Sequence, residues 1–154
     1  MSIELQDIRT SFIEAITETF ENMAFMEVML ATEEDEDVKP EAMFFTRIPV
    51  YKPIQSMLGF MLSAEIAKSI SQSILGRDID IEEDEFEIMD VLNELSNIMA
   101  GALLTRLLPD EESFELGLPE SRWIAQGEAG CDWTPEQEYH FRTDGQSIWG
   151  IWKS

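Results

Sequence analysis

Ile54–Gly76, IQSMLGFMLSAEIAKSISQSILG, changes its hydrophobic period in mid-course. The opening run IQSMLGFML is short, apolar and suited to a strand. Ser63 then supplies a hydroxyl where a helix start needs an acceptor for its free amides. AEIAKSISQSIL continues at helical spacing. Gly76 follows at the place where a left-handed residue ends a helix. Just before this stretch, residues 42–50 (AMFFTRIPV) read as a partner strand, joined through a hairpin-like turn of Tyr51, Lys52 and Pro53.

Further out, Ile3, Leu5, Ile8, Phe12, Ile16, Phe20, Met23 and Val28 recur at helical spacing and predict a first helix over 3–29. Downstream, a third helix is expected from about Asp84 to Leu108, where Pro109 stops it. The remainder is aromatic and β-rich: 113–118 (SFELGL), 122–128 (RWIAQGE), 137–143 (QEYHFRT) and 146–152 (QSIWGIW). Asp144-Gly145 is a two-residue hairpin turn. This order predicts an α+β fold, a largely antiparallel sheet packed with long amphipathic helices. At 154 residues with 44% hydrophobic content, the chain is expected to be one domain over 1–154.

Composition narrows the function classes. Ten Lys and Arg against 32 Asp and Glu leave a net charge of −22. Nucleic acid and anionic membrane surfaces are poor partners for such a chain, whereas a protein with a basic patch suits it. No apolar run reaches the roughly 18 residues of a membrane span. The N-terminal MSIELQDIRTSF carries acidic residues and no apolar segment, so no secretory leader is expected. The one histidine, His140, and the one cysteine, Cys131, make neither a metal cluster nor a nucleophile–base pair. The acidic runs 33–37 and 82–87 read as solvated loops. Met23, Met26, Met29, Met57 and Met61, with Trp123, Trp133, Trp149 and Trp152, read as core or sheet-face residues.

The third helix contains DVLNELSNIMAG, Asp90–Gly101. At about 100° per residue, Asp90, Glu94, Asn97 and Gly101 fall within about 60° of one another. Val91, Leu92, Leu95, Ile98, Met99, Ala102 and Leu103 cover the other side, which docks on a core. A helical glycine costs roughly 1 kcal/mol against alanine, so Gly101 marks either a close helix crossing or an approach by a partner. An asparagine is a poor base and a poor nucleophile, but its carboxamide can hold a water in one orientation. A glutamate one turn away can accept from a partner's cation. Hydrolysis of an acyl phosphate needs little more than such positioning. A weak internal repeat sets Glu14 against Asp90, Glu18 against Glu94, Glu21 against Asn97 and Phe25 against Gly101.

The run Asp90-x3-Glu94-x2-Asn97-Ile-Met-Ala-Gly101, followed by Pro119, resembles the signature of the CheC/CheX/FliY phosphatases of bacterial chemotaxis. That signature is an acidic or serine residue, then Glu, then Asn, then a proline some twenty residues on. Pro119 falls about one residue early, and the loop 110–112 can absorb the difference. SMLGFMLSAEIAKSISQSILG resembles the family's strand–helix stretch, and Trp123–Gly127 resembles the strand after the proline. The likeness spans residues 5–150. It implies a CheC-like fold with a pseudo-repeat of α-β units and a phosphatase acting on a phosphorylated CheY-like response regulator. Asn97 would orient the attacking water, Glu94 would bind the regulator's lysine, and Asp90 and Gly101 would lie against the partner. No cofactor is then expected on this chain, since Mg²⁺ would come with the regulator. The first helix has Glu21 where the signature needs Asn, which favours the single-site, CheX-like form, a cytoplasmic homodimer. The alternative is an inactive relative serving as an adaptor or dimerisation module in a signalling complex.

Overall fold

The computed structural model describes residues 5–108, 112–124 and 136–154. Three helices are seen among them: α1 (Leu5–Ala24), α2 (Ala64–Leu75) and α3 (Glu85–Leu107). The strands are β1 (Met29–Leu30), β2 (Met43–Lys52), β3 (Ser56–Ser63), β4 (Glu115–Leu116), β5 (Glu120–Ile124), β6 (Gln137–Thr143) and β7 (Gln146–Lys153). They form one sheet in the order β1-β6-β7-β3-β2-β4, with β5 also on β2. Every pairing is antiparallel.

The α+β architecture is as the pattern predicted, and so is the strand-to-helix passage of its pivotal stretch, although the turn expected at 51–53 lies at 53–55 because β2 runs on through Lys52 and β3 begins at Ser56. Strand β3 passes directly into α2. Ser63 Oγ accepts from the Ile66 amide at 3.1 Å, a cap worth about 1 kcal/mol. Gly76 closes α2 in the left-handed region at φ 69°. Asp144 (φ 48°) and Gly145 (φ 74°) make the tight turn between β6 and β7.

Alternation along the strands sends side chains to two apolar faces. Phe44, Leu58, Phe60, Leu62, Ile148 and Trp152 join the large core under the helices. Met43, Phe45, Met61, Ile124, Trp149 and Ile151 form a second cluster. Helix α1 crosses β7 closely: a Cβ added at Gly150 would lie 2.9 Å from Ile16 Cδ1 and 3.0 Å from Phe12 Cδ1. A side chain there would have to displace the Ile16 and Phe12 side chains.

The internal repeat is a topological fact. Helix α1 leads to β1, which adds to the β6–β7 hairpin. Helix α3 leads to β4 and β5, which add to the β2–β3 hairpin. Each half thus lends its first strand to the other half, with α2 inserted between them. Helices α1 and α3 lie side by side in opposite directions. Met23, late in α1, shares a hollow with Val91 and Leu95, whereas Arg106, late in α3, pairs with Glu14 and Glu18.

Several expectations need correction. The first helix ends at Ala24, not 29, because Phe25 turns left-handed at φ 56°. Met29 therefore lies in a short edge strand, 61% exposed rather than in the core. Segment 113–118 pairs only at Glu115–Leu116. The acidic run before α3 is not all loop, since Asp84 precedes the helix and Glu85 and Glu87 lie in its first turn. Favourable placement beside the helix's free amides accounts for this. Pro109, the loop 110–111, residues 125–128 of the expected strand, Cys131 and Trp133 lie outside the described residues.

The second apolar face carries a strap. Trp149 is fully buried, and its Nε1–H donates to Asp37 Oδ1 at 2.8 Å. Lys39 Nζ sits 4.4 Å from the indole centroid, and His140 stacks on the indole at 5.3 Å. Burial pushes the His140 imidazole below its ordinary 6.5, against the pull of Asp37 and Asp35. Burial would raise the Asp37 carboxyl, but the bonds from Trp149 and Lys39 outweigh it and hold it below 3.8. Both groups have lowered values in the fold, so each stabilises it above its unfolded value and loses that contribution as pH falls. The strap is expected to loosen in two stages on acidification, first below 6.5 and then below 3.8. The Trp149 indole proton signal, followed by NMR, checks this. A signal that stays constant through both stages would contradict it.

Candidate functional site

Helix α3 is held at a fixed rotation. Leu92, Leu95, Met99 and Leu103 are buried in the core. On the flank, the Ser121 hydroxyl of β5 donates to Asn93 Oδ1 at 2.6 Å. With that side pinned, Asp90, Glu94 and Asn97 face outward, and all three are exposed. Among the described residues, no hydrogen bond or ion pair within the chain engages any of them. Glu94 and Asn97 are three residues apart, about 4.5 Å along the axis. They sit on a rigid three-turn segment, which suits a site that must keep its geometry.

Gly101 continues the stripe. A Cβ built there meets nothing within 4 Å. This corrects one of the two readings of that glycine: among the described residues no neighbouring helix crosses there, and the space above it is open. Pro119 immediately precedes β5 and is half-buried. Glu94 also borders a small hollow lined by Met23, Ile74, Val91, Leu95 and Ile98. That hollow brings the ends of α1 and α2 beside the first half of α3.

The equivalent face of α1 differs chemically. Arg106, in the last turn of α3, reaches across to Glu14 Oε2 at 3.3 Å and to Glu18 Oε2. Its Nη1 also donates to the Ala102 carbonyl at 3.0 Å. The carboxylate matching Glu94 is thus already occupied by the chain's own guanidinium. Glu21 stands in the place of Asn97, and an anion there repels an anionic phosphoryl group. Of the two related faces, only that of α3 offers a free carboxylate beside a neutral carboxamide.

Sequence reasoning did not anticipate the roles of Arg106 and Asn93. Arg106 pairs with residues about ninety positions earlier, and only the opposed directions of α1 and α3 bring them together. Asn93 borders the polar stripe, and its partner on β5 is visible only once α3 is packed on the sheet. Among the described residues, no group of three or more His, Cys, Asp or Glu side chains is placed to hold a metal ion. No helix among them is long and apolar enough to cross a membrane.

Residues 44–129 match the family model described as "Chemotaxis phosphatase CheX". No curated protein matches the chain in sequence. Among solved structures, chemotaxis protein CheX from Vibrio vulnificus is similar over 96% of this chain and 98% of its own, at 15% identity and a TM-score of 0.72. A chain of the CheX–CheY–BeF3–Mg²⁺ complex from Borrelia burgdorferi is similar over 99% and 100%, at 15% identity and a TM-score of 0.69. FliY from Thermotoga maritima is similar over 98% and 91%, at 10% identity and a TM-score of 0.63. At these identities the structural likeness establishes the shared CheC-like fold.

Proposed function

The chain belongs to the CheX family of chemotaxis phosphatases, and from that premise we propose that it hydrolyses the aspartyl phosphate of a CheY-like response regulator. The observation that carries this is the free, outward-facing pair Glu94 and Asn97 on α3. The Borrelia relative was captured with CheY, BeF3 and Mg²⁺, which supports a receiver domain as the partner here.

In the proposed reaction the regulator docks its phosphorylated aspartate over Asn97. The Asn97 carbonyl oxygen accepts one hydrogen of a water and aims a lone pair of the water oxygen at phosphorus. The new O–P bond forms as the P–O bond to the aspartate breaks. The electron pair leaves with the carboxylate, and the water's proton passes to solvent. Products are free aspartate and inorganic phosphate. Glu94 accepts from the regulator's lysine and fixes the two proteins in register. Mg²⁺ enters as the regulator's ion and neutralises phosphoryl charge from that side. Positioning is the whole of this chain's contribution, and in a dry interface it supplies several kcal/mol.

Gly101 gives a test that separates docking from folding. Gly101→Ala is expected to stabilise the protein by up to about 1 kcal/mol, because alanine favours helix and meets no neighbour. Gly101→Trp is expected to leave the melting temperature near that of the parent and to slow dephosphorylation by excluding the partner. Melting curves and phosphate release check the pair. Full activity in Gly101→Trp would remove this glycine from the docking face.

The same reading includes pairing of two copies, which sedimentation measures, and a cytoplasmic setting, where receiver domains are phosphorylated.

A further inference from the structure

Three large apolar side chains are exposed where α1 and α2 end and α3 begins: Phe25 at 82%, Leu75 at 42% and Phe86 at 77%. Phe86 lies 11 residues before Asn97, about 20° from it around α3 and roughly 16 Å along the axis. It therefore starts the stripe that continues through Asp90, Glu94, Asn97 and Gly101. Phe25 and Leu75 directly follow Ala24 and Ile74. The Ser73 hydroxyl donates to the Ala24 carbonyl at 3.1 Å, and Ile74 shares the hollow beside Glu94.

Phe25 is also conformationally odd. Its φ of 56° is a region that suits glycine and strains a bulky residue. Its side chain gains no core contact in return, and strain held in this way points to a use elsewhere.

We propose that Phe86 and Phe25 form an apolar anchor for the response regulator, gripping it beside the reacting groups without taking part in the chemistry. This rests on the regulator being the partner. Two observations choose that occupant. Phe86 is continuous with the Glu94–Asn97 face along α3, and an interface of about 800 Å² per partner, centred on that face, extends roughly 16 Å from its centre. The rim is acidic: Glu82, Glu83, Glu85 and Asp90 lie within four residues of Phe86 in sequence, and Arg77 pairs with Asp84 and Glu87. A second copy of a chain carrying −22 would bring like charge to that rim, and an anionic bilayer would be repelled. A receiver domain brings a lysine beside its phosphoaspartate, a cation that the acidic face can meet.

The test uses the full chain with a phosphorylated receiver domain. Phe86→Ala is expected to raise KM about tenfold with kcat changed less than twofold, the size of loss given by truncating an interface aromatic. Phe25→Gly is expected to raise KM several-fold while the melting temperature stays level or rises, because glycine relieves the left-handed strain. Val38→Ala, an exposed apolar residue on the strap-bearing side of the sheet, serves as the control and should leave KM alone. Unchanged KM in both phenylalanine variants would overturn the proposal. So would a change of sedimentation in Phe86→Ala, since Phe86 would then be a self-contact. Should the parent protein show no phosphatase activity, that reading fails by itself. The anchor is then read by binding a receiver domain loaded with a phosphoryl mimic. Binding by Asn97→Ala that is lost in Asn97→Ala/Phe86→Ala supports the anchor; equal binding, or none by either, overturns it.

Discussion

In Asn97→Ala, dephosphorylation of the regulator is expected to slow by about 10²- to 10³-fold, the usual loss for one electrostatic catalytic group. The fold gives no competing reason for a loss. Asn97 is exposed and bonded to nothing among the described residues, so its removal leaves no buried partner stranded and the melting temperature should hold. Alanine also favours helix at that position. Binding of the regulator should persist, because the docking contacts remain. The expected signature is therefore a fall in kcat with little change in KM. Asn97→Gln sharpens the point. It keeps the amide but moves it outward by one methylene, and a displacement of about 1 Å can cost 10²-fold when geometry is the whole contribution. An Asn97→Gln variant as active as the parent would show that the carboxamide positions nothing.

Glu94→Lys has the second largest expected effect, through a different term. In the proposed complex the parent carboxylate accepts from the regulator's lysine. Reversing its charge removes that bond and sets two cations together. Disrupting a close charge pair in an interface costs about 2–5 kcal/mol, so kcat/KM should fall by roughly 30-fold or more. Glu94→Gln, which can still accept a hydrogen bond, should fall between parent and Glu94→Lys. Raising the ionic strength should narrow the gap between parent and Glu94→Lys, because salt screens exposed charges. A gap independent of salt would mean that Glu94 acts through packing against the hollow it shares with Met23 and Ile74.

Much of the fold was legible because local signals agreed. The Ser63 cap, the Gly76 terminator and the Asp144-Gly145 turn each act within a few residues, and each lies where the pattern placed it. The stripe on α3 was equally readable, since helical period alone puts Asp90, Glu94 and Asn97 together. Where the reading failed, the cause was non-local. The apolar period of α1 runs on to Val28, and nothing local signals that Phe25 takes a glycine-like conformation. The chain leaves the helix there so that β1 can pair with β6, more than a hundred residues away. The exchange of first strands between the two halves is similarly invisible to any window of sequence. So is the occupation of the α1 face by Arg106, which reduced two similar helices to one open site.

The repeat explains how a single fold holds an open and a closed face. Both helices bury matching apolar sides, so both are retained for packing. The outward sides are free to diverge. On α1, three glutamates would repel one another, and Arg106 stabilises two of them. On α3, no cation among the described residues pairs with Asp90 or Glu94, and that part of the acidic stripe is left to a visitor.

The most direct test of the central claim is the rate at which a phosphorylated receiver domain loses phosphate with and without this protein. Catalytic amounts of the parent chain are expected to raise that rate, and an equal amount of Asn97→Ala to leave it near the receiver's own rate. Equal rates with the parent chain and with Asn97→Ala would contradict the account.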